Sequence, residues 1–158
     1  MTSNTELHNS AACCSTPVPQ STTTYTHKGS IHNLADTKCY IVGPTDAKKA
    51  IYFIYDVLGF HDATWQGADI LASAGYLVIM PDFFGENAVK AEWMTLPDEK
   101  RKELLGGWIA ENVADSKPHI EHLHRVLDAA KEKYSSVQSW GAIGCMFADL
   151  KILTMHGC

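Results

Sequence analysis

Residues 51–87, IYFIYDVLGFHDATWQGADILASAGYLVIMPDFFGEN, constrain the fold more than any other part of the chain. An apolar run, an acidic turn, an amphipathic stretch and a second apolar run follow in order, ending in a turn that opens on Pro81, Asp82, Phe83, Phe84 and Gly85. Short apolar runs bounded by turn residues read as strands covered on both faces. Two such strands joined by a crossover helix make a right-handed βαβ unit of a parallel sheet. The pattern predicts strands at 50–55 and 76–80. The helix between them is expected to start at Asp62 or Thr64, either of which can accept backbone N–H bonds as a cap. Trp65, Ala68, Ile70, Leu71 and Ala74 form its apolar face, and Gly75 ends it. The expected class is α/β, with a mainly parallel sheet and flanking helices.

The flanking sequence fits that class. Residues 1–24 are polar, contain proline and lack periodicity, so a disordered N-terminal tail is expected. Residues 25–34 and 37–42 read as two strands of a hairpin, and Gly43, Pro44, Thr45 and Asp46 form a loop signal. Residues 90–113 look helical but imperfect: Pro97, Asp98 and Glu99 suit an N-terminus, while Gly106 and Gly107 weaken the middle. A cleaner helix is predicted for 118–134, where Ile120, Leu123, Val126, Leu127 and Ala130 recur at helical spacing. A further strand at 137–143 leads into Gly144 and Cys145.

At 158 residues the chain is one domain at most. Its net charge is −5 and its 13 basic residues are scattered, which argues against nucleic acid and against a polybasic membrane surface. No apolar run approaches a membrane span, and the first twenty residues lack the basic and apolar regions of a secretory signal. The expected location is the cytoplasm. The five cysteines include the adjacent pair Cys13 and Cys14, and an odd count without a signal favours reduced thiols over a disulfide framework. His119, His122 and His124 invite comparison with a metal site, but a solvated polar face of the helix is the favoured reading. No metal and no cofactor are expected. Trp93 and Trp108 read as packing residues, and Lys100, Arg101 and Lys102 as a solvated charge run.

Open parallel sheets bind ligands beyond the carboxyl ends of their strands. Asp56, Asp82 and Cys145 all fall there, although each also has a structural reading: Asp56 as a turn cap, Asp82 in local pairing, Cys145 as a small buried side chain. Six short motifs recur in order around them. They are Cys13 and Cys14 with Pro17; Tyr40, Ile41, Val42, Gly43, Pro44; Ile54 through Phe60; Gln66, Gly67, Ala68, Asp69; Met80 through Phe84; and Trp140 through Gly144. In these the chain resembles the fungal branch of the dienelactone hydrolase family, within the α/β-hydrolase superfamily.

That resemblance implies that 25–158 is the N-terminal part of an α/β-hydrolase domain, C-terminally truncated, with 148–158 as a divergent tail. It implies a cysteine nucleophile on a G-x-C-x-G elbow, completed by an Asp and a His later in the chain, acting on small-molecule lactones or carboxylic esters. The His takes the thiol proton, the Asp orients the His, and backbone N–H groups stabilise the oxyanion. By the same resemblance Asp56 contacts the resting cysteine, and the backbone N–H of Val57 serves the oxyanion hole. Cys145 is the expected nucleophile, but it stands one place early. With Gly144 as the first elbow glycine, Met146 takes the nucleophile position; with Cys145 as nucleophile, Ile143 and Phe147 replace the glycines. Asp149 and His156 fall within the helix that should follow the elbow. Little hydrolase activity is therefore expected of residues 1–158. The alternative is a non-catalytic fragment or partner-binding pseudoenzyme, with self-association through an exposed sheet edge.

Overall fold

The computed structural model describes residues 25–115 and 117–144. Five strands form one sheet in the order β1-β2-β4-β3-β5. These are β1 (Ser30–Leu34), β2 (Thr37–Val42), β3 (Lys49–Ile54), β4 (Leu77–Pro81) and β5 (Ser139–Gly144). The α/β class is confirmed, but the sheet is mixed. β3 runs parallel to both β4 and β5, whereas β2 is antiparallel to β1 and to β4. Helix α1 (Asp62–Ser73) crosses from β3 to β4. Two further helices, α2 (Asp98–Asn112) and α3 (Lys117–Lys133), lie between β4 and β5. Among the described residues no helix is long and apolar enough to cross a membrane.

Strand alternation divides the core in two, because successive side chains point to opposite faces of a sheet. Cys39, Ile41, Ala50, Tyr52, Ile54, Leu77 and Ile79 pack with Leu123, Val126, Leu127 and Ala130 of α3. Tyr40, Val42, Phe53, Tyr55, Val78 and Met80 pack on the other face with Ala68 of α1 and Trp108 of α2. Each fully buried aliphatic side chain contributes about 1.5–3 kcal/mol relative to exposure. These near-continuous apolar runs were legible because both faces of β3 and β4 are covered.

Residues 25–29 depart from the expected strand. Asp69, 2% exposed on α1, fastens them down. Its Oδ2 accepts from the Tyr25 hydroxyl at 2.8 Å and the Lys28 backbone N–H at 2.9 Å, while its Oδ1 accepts from the Tyr40 hydroxyl. The Tyr40 oxygen in turn accepts from Gly29 N–H at 2.6 Å. Glycine is needed there: a Cβ at position 29 would stand 2.5 Å from the Ile41 carbonyl oxygen. A carboxylate that receives three donors is satisfied although buried.

The ends of α1 and the course of α2 also differ from expectation. The N-cap is His61, not Asp62 or Thr64. Thr64 instead accepts the His61 backbone N–H at 3.1 Å, and Asp62 Oδ2 accepts the Tyr25 backbone N–H at 3.0 Å. Gly106 and Gly107 do not interrupt α2. Next to them Trp108 is buried, and its indole N–H donates to the Asn87 carbonyl at 2.6 Å. Tertiary packing here outweighs the roughly 1 kcal/mol per glycine that weakens an isolated helix.

Candidate active site

The carboxyl ends of β3, β4 and β5 lie side by side. Register pairs Ile54 of β3 with Gly144 of β5, so the chain leaves β5 beside the turn that carries Asp56 and Val57. That turn is tightly built. Asp56 Oδ1 accepts the Leu58 N–H at 2.9 Å, and the Asp56 carbonyl accepts the Gly59 N–H at 3.1 Å. Gly59 has φ of +71°, a conformation costly for residues with a Cβ. The Val57 carbonyl accepts the Val89 N–H at 2.8 Å, which ties the turn to the loop behind β4. The Val57 N–H has no hydrogen-bond partner among the described residues.

A second carboxylate, Asp82, closes the end of β4. Its Oδ1 accepts from the Tyr55 hydroxyl at 2.7 Å and from the Gly85 N–H at 3.2 Å. The Tyr55 oxygen accepts the Phe84 N–H at 2.9 Å, and the Phe83 ring stacks on Tyr55 with centroids 4.5 Å apart. Burial pushes the Tyr55 phenol well above its ordinary value, so it stays protonated and donates. Asp56 and Asp82 thus both serve local turns, as their structural readings anticipated. Asp56 alone combines that duty with a place beside the end of β5.

His61 is the residue that sequence reasoning missed. Its Nε2 lies 3.5 Å from Asp56 Oδ1, and the two side chains are 31% and 29% exposed. Nε2 is itself shielded from solvent and makes no hydrogen bond in this geometry. The two side chains are thus in close polar contact without a formed hydrogen bond. A signal existed in the chain: His61 follows Asp56 across a turn closed by Gly59, at the mouth of a helix.

The histidines of α3 do not converge. His119 Nε2 is hydrogen-bonded to the Asn112 carbonyl, His122 Nε2 to Thr37 Oγ1, and His124 is exposed. Among the described residues no group of three or more His, Cys, Asp or Glu side chains is arranged to hold a metal ion. Cys39 is the sole cysteine among them, and burial pushes its thiol up to about 12, which makes it a poor nucleophile. The expected nucleophile Cys145 lies outside the described residues, as do Cys13, Cys14, Met146, Asp149, His156 and the 1–24 and 148–158 segments.

The model of the Dienelactone hydrolase family matches residues 37–153, a span that runs past Gly144. An uncharacterized AIM2 family protein of Schizosaccharomyces pombe is 26% identical over 147 residues, covering 91% of this chain and 59% of the relative. The chain thus spans less than two thirds of the length of that relative. Among solved structures, a Klebsiella pneumoniae protein provisionally described as a dienelactone hydrolase aligns with a TM-score of 0.48 at 13% identity. That alignment covers 75% of this chain and 50% of the other. A thioesterase domain from the curacin biosynthetic pathway aligns with a TM-score of 0.29 at 18% identity, over 54% of this chain and 33% of that one.

Proposed function

This chain belongs to the dienelactone hydrolase family, a family of hydrolase-type α/β fold, and from that premise we propose that it carries the β3 side of a cysteine-dependent site for a carboxylic ester or lactone. Cys145 is the nucleophile in this reading, Asp56 contacts its resting thiol, and the Val57 N–H receives the oxyanion. One observation supports the reading above all: the Ile54–Gly144 pairing brings the residue before Cys145 alongside the Asp56–Val57 turn. The Val57 N–H, without a hydrogen-bond partner among the described residues, is a second support, since an oxyanion donor must be free for the developing charge.

The chemistry follows from those positions. Sulfur attacks the carbonyl carbon, and the carbonyl π pair moves to oxygen, where the Val57 N–H meets it. Collapse of that intermediate breaks the carbon–oxygen ester bond and leaves a thioester. Overall the thiol proton ends on the leaving alcohol oxygen, which stays tethered when the substrate is a lactone. Water then cleaves the thioester and restores the thiol. Ile143 and Phe147 flank Cys145 where the elbow has glycines, so turnover is expected to be slow and acylation to be the sensitive readout. Incubation of the chain with p-nitrophenyl acetate should leave an acetyl group on the tryptic peptide 134–151, whose single cysteine is Cys145. Absence of that adduct, or ester turnover unchanged in Cys145→Ala, would overturn the proposal.

A second reading, association through the sheet edge, is favoured by β5. Among the described residues no strand pairs with its outer side, and Ile143 there is 44% exposed. Unpaired strand edges carrying apolar side chains recruit further strands. Sedimentation velocity is expected to show a concentration-dependent dimer that Ile143→Lys abolishes; a monomer at all concentrations would rule this reading out.

A further inference from the structure

His122 and Arg125 stand at i and i+3 on α3, a spacing that puts both on one face of the helix. They line a cavity of about 390 Å³, closed on its other sides by the β1–β2 turn at Ala35 and Asp36 and by Asp82 at the end of β4. That volume falls within the roughly 300–1,000 Å³ of small-ligand pockets. The cavity lies on the β2 side of β4, whereas Asp56 and Val57 sit on the β3–β5 side.

The charged groups around it do not pair with one another. No described carboxylate comes within ion-pair distance of Arg125, of His122 or of Lys38, which also lines the cavity. Asp82 Oδ1 is occupied by the Tyr55 hydroxyl and the Gly85 N–H. Asp36, at φ +63°, is exposed at the rim. Elsewhere on α3, His119 is bonded to the Asn112 carbonyl, Glu121 faces Lys117, and Asp128 is exposed.

Hydrogen bonding fixes which way the His122 ring works. The Thr37 hydroxyl donates to the Ala35 carbonyl at 3.3 Å, so its oxygen accepts from the His122 Nε2–H. Nδ1 is left without a hydrogen-bond partner among the described residues. Burial first, then Arg125 and His119, hold this imidazole below its ordinary value. The guanidinium therefore acts on the ring as a like charge that nothing in the cavity wall neutralises. An anion between the two removes that repulsion. It can accept two parallel N–H bonds from Arg125 and a third from a protonated Nδ1.

We propose that this cavity binds a small oxyanion, the carboxylate or phosphate group of a ligand, between Arg125 and His122. The site requires neither Cys145 nor the ester chemistry. Anion binding and protonation of His122 favour each other, since such coupling is reciprocal. Asp36 opposes both the approach and the retention of the anion, because it carries a like charge at the rim.

An NMR titration of the His122 ring in the full chain tests the site, run in sodium sulfate and in sodium chloride at equal ionic strength. Sulfate keeps its charge throughout the imidazole range and stands in for either group. The His122 midpoint should lie roughly half a unit higher in sulfate, a threefold gain in proton affinity. Arg125→Gln should abolish that difference; Arg125 is exposed and makes no hydrogen bond among the described residues, so the fold should tolerate the change. Arg101→Gln on α2 removes the same charge outside the cavity and should leave the difference intact. Asp36→Asn should reach the half-maximal effect at less sulfate. Methyl phosphate and acetate, titrated against the amide signals of 35–38 and 122–125, then separate the two sources, and the tighter binder names the group. A midpoint that is the same in both salts, or that rises as far in Arg125→Gln as in the parent chain, sinks the proposal. So does weaker sulfate binding in Asp36→Asn, or amide signals that respond to neither probe.

Discussion

The Tyr55 hydroxyl stands 2.7 Å from Asp82 Oδ1 and joins the ends of β3 and β4 by a side-chain bond beyond the strand ladder. The same oxygen accepts the Phe84 N–H at 2.9 Å, so one buried phenol organises the turn after β4. Tyr55→Phe takes one donor from Asp82, which keeps the Gly85 N–H, and one acceptor from the Phe84 N–H. A loss of about 1–3 kcal/mol is expected, because each of the two hydrogen bonds removed contributes about 0.5–1.5 kcal/mol net. Urea unfolding measures it, with the half-buried Tyr76→Phe as a control expected to stay within about 0.5 kcal/mol.

Asp69 receives donors from Tyr25, Lys28 and Tyr40 and is acceptor-only when ionised. Asp69→Asn keeps the volume but turns a donor toward donors. The expected cost is about 1.5–3 kcal/mol, the range for hydrogen bonds to a charged group. Limited trypsin digestion reports it directly: cleavage after Lys28 should accelerate, and unchanged cleavage would contradict the anchoring role.

Burial first, then Arg125 and His119, hold the His122 imidazole below its ordinary value. The unfolded chain, at the ordinary 6.5, therefore takes up this proton first as pH falls. Unfolding is then favoured, and the stability lost appears as pH drops below about 6.5 and levels off beneath the depressed folded value. The gap in melting temperature between about pH 7.5 and about pH 5.5 should shrink in His122→Gln. Calorimetry that finds the same gap in both proteins would show that this imidazole does not carry the effect.

Cys39 is fully buried, and its thiol is pushed up to about 12 by desolvation. Thiolate is the alkylating species, so the folded protein should leave this sulfur untouched. Mass spectrometry of tryptic peptide 39–48 is expected to show modification only after unfolding in urea. Modification at the unfolded rate under native conditions would mean that the strand opens readily.

Much of the fold was legible because burial writes itself into local patterns. The runs at 50–55 and 76–80 are apolar without interruption because β3 and β4 are covered on both faces. Gly75, at φ +89°, ended α1 as its permissive backbone suggested. The apolar spacing of Leu123, Val126, Leu127 and Ala130 marked the face of α3 that meets the sheet. The places of Asp56 and Asp82 just beyond β3 and at the end of β4 were legible from the same patterns.

Relations between distant parts of the chain left no such mark. Strand identity does not reveal that β2 lies antiparallel beside β4, since that pairing depends on how the hairpin docks. Residues 25–29 have a strand-like composition, yet Asp69 on α1 captured their donors before a ladder could. His119, His122 and His124 share one short stretch, but helix rotation sends His119 to Asn112, His122 to Thr37 and His124 to the exposed surface. The sequence by itself determined the α/β class, the two-sided core and the placing of carboxylates at strand ends, because periodicity and turn chemistry are local. Only the tertiary structure decided that Gly144 stands beside Ile54 and that His61 turns its buried nitrogen to Asp56. Those contacts depend on packing geometry across elements, which no spacing along the chain encodes.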